Sequence, residues 1–375
     1  MEEQQPVNVN SLAAAVSYNR GRESGMHAGY EEGYFRGRAN AIAARRGTAF
    51  PVRPLHILYV SSGKLYPYSP IDQAIIATLQ DMVRQVTIAD PRQQIADIAA
   101  QVKPDLVLAL DGMEIPLNQV DDIRNKGIRT AVWLTDDPYY TDTTSQMAPH
   151  FDDIFTLEIN CIDLYRQLGC SSVHYLPFAA YRDHYFPLTV PSVVRRDVNF
   201  TGSAYWSRVY FMNPIMPQLM SYNTGINGLW WDRIENYHQY ASKIDVNKWH
   251  GPEDTNQLYN GSKIVINLHR SHLDDSVNNN AILKIPAASP NPRCFEICAA
   301  SAFQLTDARD NMASFYKPGE EIETYSTPQE LIEKIEYYLT HDKERQEIAL
   351  RGLERTLKEH TYAHRLHQML SILFP

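Results

Sequence analysis

The stretch "LHILYVSSGKLYPYSPIDQAIIATLQDMVR", from Leu55 to Arg84, decides the fold. It begins with a short apolar run that ends at Val60, continues through a loop rich in Ser, Gly and Pro, and ends in a segment of helical composition that starts at Ile71. A strand, a loop and a helix in this order form one βα unit of a parallel sheet. We therefore predict that an α/β domain begins here.

The same alternation is repeated along the chain. Further strand-like runs in the first half are "QVTIAD", "DLVLALDG", "RTAVWLTDDP", "DDIFTLEIN" and "SVHYLPFA". After a polar, Pro-containing connector at 181–197, the runs are "VNFTGSAYWSR", "GINGLWWDRI", "VNKWHGP", "KIVINLHRS", "AFQLTD" and "EIETYS". Strands that are apolar on both faces and alternate with helices are typical of doubly wound α/β domains. We predict two Rossmann-like domains facing each other across a cleft, at 51–190 and 191–375, with helices at the C-terminus that break near His341 and at "EHTY".

The first 50 residues carry a different pattern. Small residues recur at every fourth position, and five of them are glycines, from Gly21 to Gly37. On a helix this spacing produces a smooth groove in which a second helix can lie. Each helical glycine costs about 0.5–1 kcal/mol relative to alanine, so a helix here needs a packing partner. We predict an N-terminal helix at 1–50 that packs on its own chain or on a second copy, as in a homodimer; the alternative is a disordered tail.

The composition of the chain excludes several classes of function. The chain has 375 residues, 44% of them hydrophobic, and a formal net charge of -9, whereas a general nucleic-acid binder needs a basic surface. Its four cysteines lack the spacing of a zinc or redox site, which favours reduced thiols in the cytosol. The N-terminus lacks the basic segment followed by an apolar segment that is typical of a signal peptide. No part of the sequence approaches the run of about 18 apolar residues that a membrane span needs. We therefore expect a soluble cytoplasmic protein that spans no membrane and binds no nucleic acid.

Ligands of open α/β sheets bind outside the carboxyl ends of the strands. Glycine and serine at such positions offer backbone N–H groups to phosphate oxygens, and arginine or histidine supplies the opposite charge. Each feature alone is also explained by an ordinary turn or a solvated loop, but together they suit a diphosphate. The candidates in the second half are Gly202, Ser203, Arg208, His250, Gly251, His269, Arg270, Arg293 and Glu296.

Glu296 is the most informative of these residues. It lies in "NPRCFEICAASAFQLTD", residues 291–307, where a helix of small and apolar residues precedes an apolar strand. A carboxylate in the first turn of a helix can simply interact with the helix dipole. Alternatively, its two oxygens can accept hydrogen bonds from the two hydroxyls of a sugar, as an acidic residue does with ribose in nucleotide-binding folds.

Several motifs resemble a known family. The segment "KWHGPEDTNQLYNGSKIVINLHRS", the run from "NPRCFEICAASAFQLTD" to "IEKIEYYL", and the first-half motifs "WLTDDPYY", "FDDIFTLE", "HYLPFA" and "DVNFTGS" follow one another as in the CgeB-like (spore maturation protein) glycosyltransferases of GT-B type. The resemblance extends from about Leu55 to the C-terminus. Two departures are Ser301, where related families usually have glycine, and Ser289, where many retaining transferases carry a second glutamate.

The resemblance implies a hexosyltransferase that moves a sugar from a nucleotide-diphosphate donor to a surface glycan or protein. A UDP-sugar is the favoured donor, because uridine is the commonest base in such transferases. It implies a C-terminal donor domain, an N-terminal acceptor domain, no metal and no cofactor beyond the donor. Glu296 would hold the ribose, and His250 and Gly251 would meet the base. The diphosphate would lie near Arg208, Arg293, Gly202 and Ser203.

Sugar transfer also needs a base that deprotonates the acceptor hydroxyl. Asp136 and Asp137 follow a strand of the first half and are our preferred candidates, with His269 and His174 as alternatives. The two aspartates have other readings, as a structural cap before Pro138 or as metal ligands, although neighbouring residues at a strand end usually point in opposite directions.

Two further functions are compatible with these sequence features. One is epimerisation or hydrolysis of a nucleotide sugar, which would consume the donor without an acceptor. The other is a non-catalytic spore-surface assembly protein that forms oligomers through the glycine-repeat helix. Neither a Ser/His/Asp hydrolase motif nor a Walker phosphate loop occurs in the sequence.

Overall fold

A computed structural model describes the chain at residues 9–45, 47–246, 249–274, 276 and 283–375. Within these residues the strands form two six-stranded sheets, and every strand pair in them is parallel. The predicted pair of Rossmann-like α/β domains is therefore confirmed.

The N-terminal sheet has the strand order β2-β1-β3-β4-β5-β6. Its strands are β1 (Arg53–Val60), β2 (Val83–Ala89), β3 (Leu106–Leu110), β4 (Thr130–Trp133), β5 (Asp153–Thr156) and β6 (Ser172–Tyr175). The helices of this half, preceded by the N-terminal α1 (Val9–Ala43), are α2 (Ser69–Met82), α3 (Ile95–Val102), α4 (Leu117–Asn125), α5 (Thr141–Met147) and α6 (Ile162–Gln167).

The C-terminal sheet has the order β12-β11-β10-β7-β8-β9. Its strands are β7 (Arg196–Thr201), β8 (Thr224–Asn227), β9 (Ile244–Asp245), β10 (Ser262–Asn267), β11 (Gln304–Asp307) and β12 (Glu323–Tyr325). Its helices are α7 (Trp206–Met212), α8 (Met216–Leu219), α9 (Tyr237–Tyr240), α10 (Pro252–Asn260), α11 (Pro292–Ala299), α12 (Pro328–Thr340), α13 (Asp342–Glu359) and α14 (Tyr362–Leu373). The predicted breaks near His341 and at 360–361 are present. The strand predicted in "VNKWHGP", residues 246–252, ends before this run begins, at Asp245. Residues 247 and 248 lie outside the described part of the chain.

Both faces of each sheet are covered, which explains the continuous apolar runs. In β1, Ile57 and Tyr59 pack into the core on one face, and Leu58 and Val60 pack into the core on the other. All four side chains have no solvent exposure. Burying an aliphatic side chain of this size contributes about 1.5–3 kcal/mol. Because strand side chains alternate between faces, a run that is apolar at every position specifies helices on both sides.

The last helix returns to the first domain. Leu366, Met369 and Leu370 of α14 belong to the same buried cluster as Ile57 and Leu79 of the N-terminal domain. Arg365 supports the crossing through a hydrogen bond from Nε to the carbonyl oxygen of Pro177, at 2.9 Å. The segment predicted as part of the C-terminal domain, 191–375, therefore ends in a helix that packs with the N-terminal sheet.

The N-terminal helix lies on α13 of the C-terminal domain. Phe35 and Ala39 are buried there, and Arg45 forms an ion pair with Glu354 at 2.5 Å. The glycine stripe faces elsewhere: a Cβ atom added at any of the five glycines from Gly21 to Gly37 would meet nothing within 4 Å. One side of α1 thus packs on its own chain, while the glycine side is open. None of the helices in the described ranges is both long and apolar enough to cross a membrane.

Candidate functional site

A cleft of about 480 Å³ lies between the two sheets, at the carboxyl ends of their strands. In the C-terminal sheet β7 lies between β8 and β10, so the chain leaves β7 and β10 in opposite directions and opens a crevice there, which is the usual ligand site of such folds. The cleft is lined by these predicted site residues: Gly202, Ser203, His250, Arg293, Glu296 and, from the N-terminal half, Asp136.

The loop after β7 is held close to the loop after β8. A Cβ atom on Gly228 would lie 2.3 Å from the carbonyl oxygen of Gly202, so only glycine permits this approach. The indole Nε1 of Trp231 donates to the same oxygen at 2.7 Å. Ser203 is 2% exposed, and its Oγ has no hydrogen-bond partner within the described residues. A fixed loop with an unused hydroxyl at the cleft is suited to binding a phosphate oxygen.

Arg208 and Arg293 have different positions relative to this loop. Arg208 is 3% exposed, and it donates from Nε to the carbonyl oxygen of Leu268 (2.9 Å) and from Nη1 to that of Ser203 (2.8 Å). Burial, together with the neighbouring charge of Arg293, lowers the pKa of Arg208 to about 10. The structure thus places Arg208 behind the loop as its support, whereas Arg293 lines the cleft.

Glu296 and Arg293 lie on the same side of α11, because residues three apart in a helix are neighbours. The helix begins at Pro292 and is capped by Asn291, whose side chain accepts a hydrogen bond from the backbone N–H of Cys294. Burial raises the pKa of Glu296 to about 7, and the opposing effects of Arg293 and of a hydrogen bond with Tyr185 do not cancel it. Near neutral pH this group changes easily between a hydrogen-bond acceptor and a neutral acid.

His269 supports the start of α11 instead of facing the cleft. Its Nδ1 donates to Oδ1 of Asp307 at 2.5 Å, and its Nε2 accepts from the backbone N–H of Asn291 at 3.0 Å. Burial lowers the pKa of His269, which keeps the ring neutral. With both ring nitrogens engaged, the structure does not place this residue as a base. His174 is also away from the cleft, in β6, where its ring stacks on Phe155 and its Nε2 contacts Oγ of Ser172 at 2.8 Å.

Asp136 and Asp137 point in opposite directions. Asp136 lines the cleft, and its Oδ2 accepts hydrogen bonds from Tyr68 (2.7 Å) and Thr135 (2.9 Å). Burial raises its pKa. The carboxylate of Asp137 lies inside the domain, 2% exposed, and accepts from Thr156 at 2.6 Å and from Tyr165 at 2.8 Å.

The environment of Asp137 also raises its pKa, to about 6, mainly through burial. This position fits the alternative of a structural residue ahead of Pro138, and of the two aspartates only Asp136 can reach a ligand in the cleft. No group of three or more His, Cys, Asp or Glu side chains within the described residues is arranged to hold a metal ion.

His250 and Gly251 lie at the start of α10, where Gly251 is the N-cap. The imidazole of His250 lies 3.4 Å from Oδ2 of Asp245 and 3.7 Å from Oδ2 of Asp254. Tyr66 of the N-terminal half donates its hydroxyl to the carbonyl oxygen of His250 at 2.7 Å. This bond connects the two domains at the edge of the cleft.

Arg270 lines the cleft, although no specific role for it could be predicted from the sequence. Its guanidinium lies between the rings of Tyr139 and Tyr205, 4.4 Å from each centroid. Cation–π contacts on two sides hold the guanidinium in place at the cleft. Its position after β10 was the available signal, but the two aromatic partners come from distant segments and could not be inferred.

Two parallel α/β domains that meet at a cleft, with cations and one acid on the C-terminal side, have the GT-B glycosyltransferase architecture, and the predicted fold class is confirmed. Residues 208–371 match the family model described as "Glycosyl transferase-like". The chain is 29% identical over 311 residues to the spore protein CgeB of Bacillus subtilis (strain 168), covering 82% of this chain and 95% of that protein. The resemblance to CgeB-like glycosyltransferases is thus confirmed.

Solved structures agree on the fold. The Anabaena HepE structure in complex with UDP-glucose has a TM-score of 0.59 at 12% identity and covers 85% of this chain and 99% of its own. The sucrose-phosphate synthase of Thermosynechococcus elongatus has a TM-score of 0.56 at 9% identity and covers 85% of this chain and 99% of its own. At such identities the likeness concerns the fold alone.

Proposed function

We propose that the protein is a metal-independent hexosyltransferase that moves a sugar from a UDP-sugar to a surface glycan or protein acceptor. The observation that carries the proposal is the arrangement on α11, which presents Arg293 and Glu296 to the cleft beside the Gly202 loop. The relatives support the choice of donor, since HepE was solved with UDP-glucose bound.

The donor diphosphate would lie between the loop after β7 and the two arginines of the cleft. Ser203 offers an unused hydroxyl, and Arg293 and Arg270 supply two positive charges. Charge-assisted hydrogen bonds of this kind stabilise the charge that develops on a leaving diphosphate. Because arginines can supply this charge, we propose that the reaction needs no metal and no cofactor beyond the donor.

Glu296 would hold the ribose of the donor, and His250 and Gly251 would border the base. An ionised carboxylate accepts hydrogen bonds from both hydroxyls of a ribose. Tyr185 is positioned to orient the acid, because its hydroxyl hydrogen-bonds to it. The nearby Tyr66 hydroxyl joins the base loop to the N-terminal domain, so donor binding and domain contact share this region.

Asp136 is the proposed general base. As the acceptor oxygen attacks the anomeric carbon, its proton would pass to the Asp136 carboxylate, while the bond between the anomeric carbon and the diphosphate oxygen breaks. A pKa raised by burial strengthens a carboxylate as a base. The hydrogen bonds from Tyr68 and Thr135 both use Oδ2, so they hold the group in one orientation.

The acceptor and the setting of the enzyme are further parts of the proposal. We place the reaction in the cytoplasm and the acceptor at the N-terminal side of the cleft, beside Asp136. The open glycine face of α1 is a candidate contact with a second copy of the chain, since helical glycines without a neighbour only lower helix stability.

The test is a panel of UDP-sugars and other nucleotide sugars, with thermal stability as the readout, because ligands that bind the folded state raise its melting temperature. We expect a UDP-sugar to raise it in the wild type and not in an Arg293→Gln variant. Release of UDP that depends on an added acceptor would then support transfer. Donor turnover without any acceptor would instead identify an epimerase or hydrolase, and the absence of any stabilising nucleotide would refute the donor site.

A further inference from the structure

A second cavity, of about 460 Å³, lies behind the C-terminal sheet. We call it the rear cavity; it is bordered by Arg196 at the start of β7, Lys263 at the start of β10, Phe303 just before β11, and the N-terminal helix α1. It therefore opens at the amino ends of the strands, whereas the donor cleft opens at their carboxyl ends. A ligand in the rear cavity would not compete for the donor cleft.

The rear cavity is rich in positive charge. Its lining includes six arginine and lysine side chains and three carboxylates, in a chain whose formal net charge is -9. Glu32 is paired with Arg195 at 2.6 Å, and Asp342 with Arg345 at 2.5 Å. Glu31 also borders the space.

Three of these cations lack a carboxylate partner within the described part of the chain. Arg36, Arg196 and Lys343 have no carboxylate within 4.0 Å among the described residues. Arg36 instead donates from Nη1 to Oδ1 of Asn260 at 2.9 Å, and Arg196 donates from Nη1 to the carbonyl oxygen of Val193 at 2.9 Å. Such a group of cations beside a cavity attracts a small anion.

Ser301 gives a second, independent observation. It is 2% exposed and borders the rear cavity, and its Oγ has no hydrogen-bond partner among the described residues. Its backbone has φ of 57°, a left-handed conformation that glycine adopts without strain. This chain therefore carries a buried hydroxyl at a backbone position that disfavours a side chain. Such a hydroxyl needs a hydrogen-bond partner that the described residues do not supply, which is an ordered water or a ligand.

The start of α13 contributes as well. This helix has 18 residues, its first residues Asp342 and Lys343 border the rear cavity, and its N-cap His341 makes no side-chain capping bond. The N-terminus of a helix carries partial positive charge and unpaired N–H groups. Together with the three cations and Ser301, it provides both charge and hydrogen-bond donors.

We propose that the rear cavity binds a small phosphorylated molecule at a site separate from the donor cleft. Guanidinium groups, a hydroxyl and helix N–H groups are the donors that phosphate oxygens prefer. One wall is formed by α1, which lies outside the region of family resemblance that starts at about Leu55. The site thus combines the extra helix α1 with the unpartnered hydroxyl of Ser301.

The test uses inorganic pyrophosphate as the probe and calorimetric titration of the full-length protein at fixed ionic strength. All measurements use an Arg293→Gln background, which removes an arginine of the donor cleft and leaves the rear cavity intact. We expect this protein to bind one pyrophosphate. Adding Lys343→Glu should weaken binding about tenfold, since the exposed Lys343 has no partner to lose and a positive charge becomes negative.

Ser301→Gly is the matched second variant. It replaces a residue in the left-handed conformation with glycine, which adopts that conformation without strain, so the protein should fold at least as stably as its parent. We expect it to weaken pyrophosphate binding about fivefold, as for a lost hydrogen bond. No binding in the Arg293→Gln background, or an affinity that neither added substitution changes, would overturn the proposal.

Discussion

Glu296 offers the sharpest test of the donor site, because its pKa of about 7 lies in an accessible range. If the ionised carboxylate binds the ribose hydroxyls, then only the ionised fraction of the protein is competent. At pH 6 about nine in ten Glu296 side chains are protonated, and at pH 8 about one in ten. The apparent affinity for UDP-glucose should therefore rise about tenfold between pH 6 and pH 8.

UDP-glucose is the appropriate ligand, because neither of its phosphate groups has the second ionisation that free UDP undergoes near pH 6. Calorimetric titration at pH 6, 7 and 8 gives the three dissociation constants. Glu296→Gln should bind about 1–3 kcal/mol more weakly at pH 8 and show no dependence on pH of this size. The control is Glu253→Gln on the exposed first turn of α10, the same substitution outside the cleft lining, which should retain the tenfold rise.

The same group makes a prediction about stability. A carboxyl whose folded-state pKa is raised from 4.5 to about 7 holds its proton longer in the folded state than in the unfolded state. The stabilisation of the folded state by this retained proton is complete below pH 4.5 and is lost as the pH rises through 7. The free energy of unfolding should fall by about 2–3 kcal/mol across this interval in the wild type and much less in Glu296→Gln. Equal pH profiles of binding and of urea unfolding in the two proteins would refute the reasoning.

Three further predictions concern other parts of the molecule. Asp136→Asn should lower turnover about 10²-fold and leave UDP-sugar affinity within about twofold. Asp137→Asn should instead lower the free energy of unfolding by about 1–3 kcal/mol, because two buried hydroxyls lose a charged acceptor. Steady-state kinetics and urea unfolding distinguish the two effects, and the reverse pattern would contradict the assignment. Gly228→Ala should abolish donor binding and destabilise the protein by about 2 kcal/mol or more, while Gly225→Ala, whose Cβ meets its nearest neighbour at 3.6 Å, should change stability by less than about 1 kcal/mol. If α1 pairs with a second copy of the chain, Gly29→Leu should shift the dimer toward monomer, as measured by light scattering. An unchanged molecular mass in solution together with a higher melting temperature would show that nothing packs on the glycine face.

Much of the fold could be predicted because it is recorded locally. Apolar runs such as Leu55 to Val60 identify strands that are buried on both faces, and the breaks near His341 separate the C-terminal helices. The rule that ligands bind at the carboxyl ends of strands was sufficient to collect Arg293, Glu296 and Asp136 without any distance information.

Other features depend on contacts that the sequence does not record. Arg208 follows a strand just as Arg270 does, yet one side chain turns behind the loop and the other lies in the cleft. The partner of His269 is Asp307, 38 residues away, and this pairing removes the histidine from the list of bases. The position of α14 on the first domain is likewise a packing result, because an amphipathic helix does not specify which of two sheets it covers.

The arrangement around α11 explains why the fold can maintain a carboxylate at an unfavourable position. His269 joins β10 to Asp307 of β11 and to the backbone N–H of Asn291, so the start of α11 is fixed to two neighbouring strands by buried hydrogen bonds. The hydrogen bonds of His269 with Asp307 and Asn291 do not involve Glu296. They therefore form a rigid frame that holds α11 in place while the Glu296 carboxyl stays partly desolvated. Burial opposes the ionisation of Glu296, and hydrogen bonds from a bound diol would favour it, so a diol would replace the hydration that the carboxylate loses on burial. If Glu296 binds the ribose as proposed, a rigid frame that holds a poorly solvated acid would favour ligands that carry paired hydroxyls.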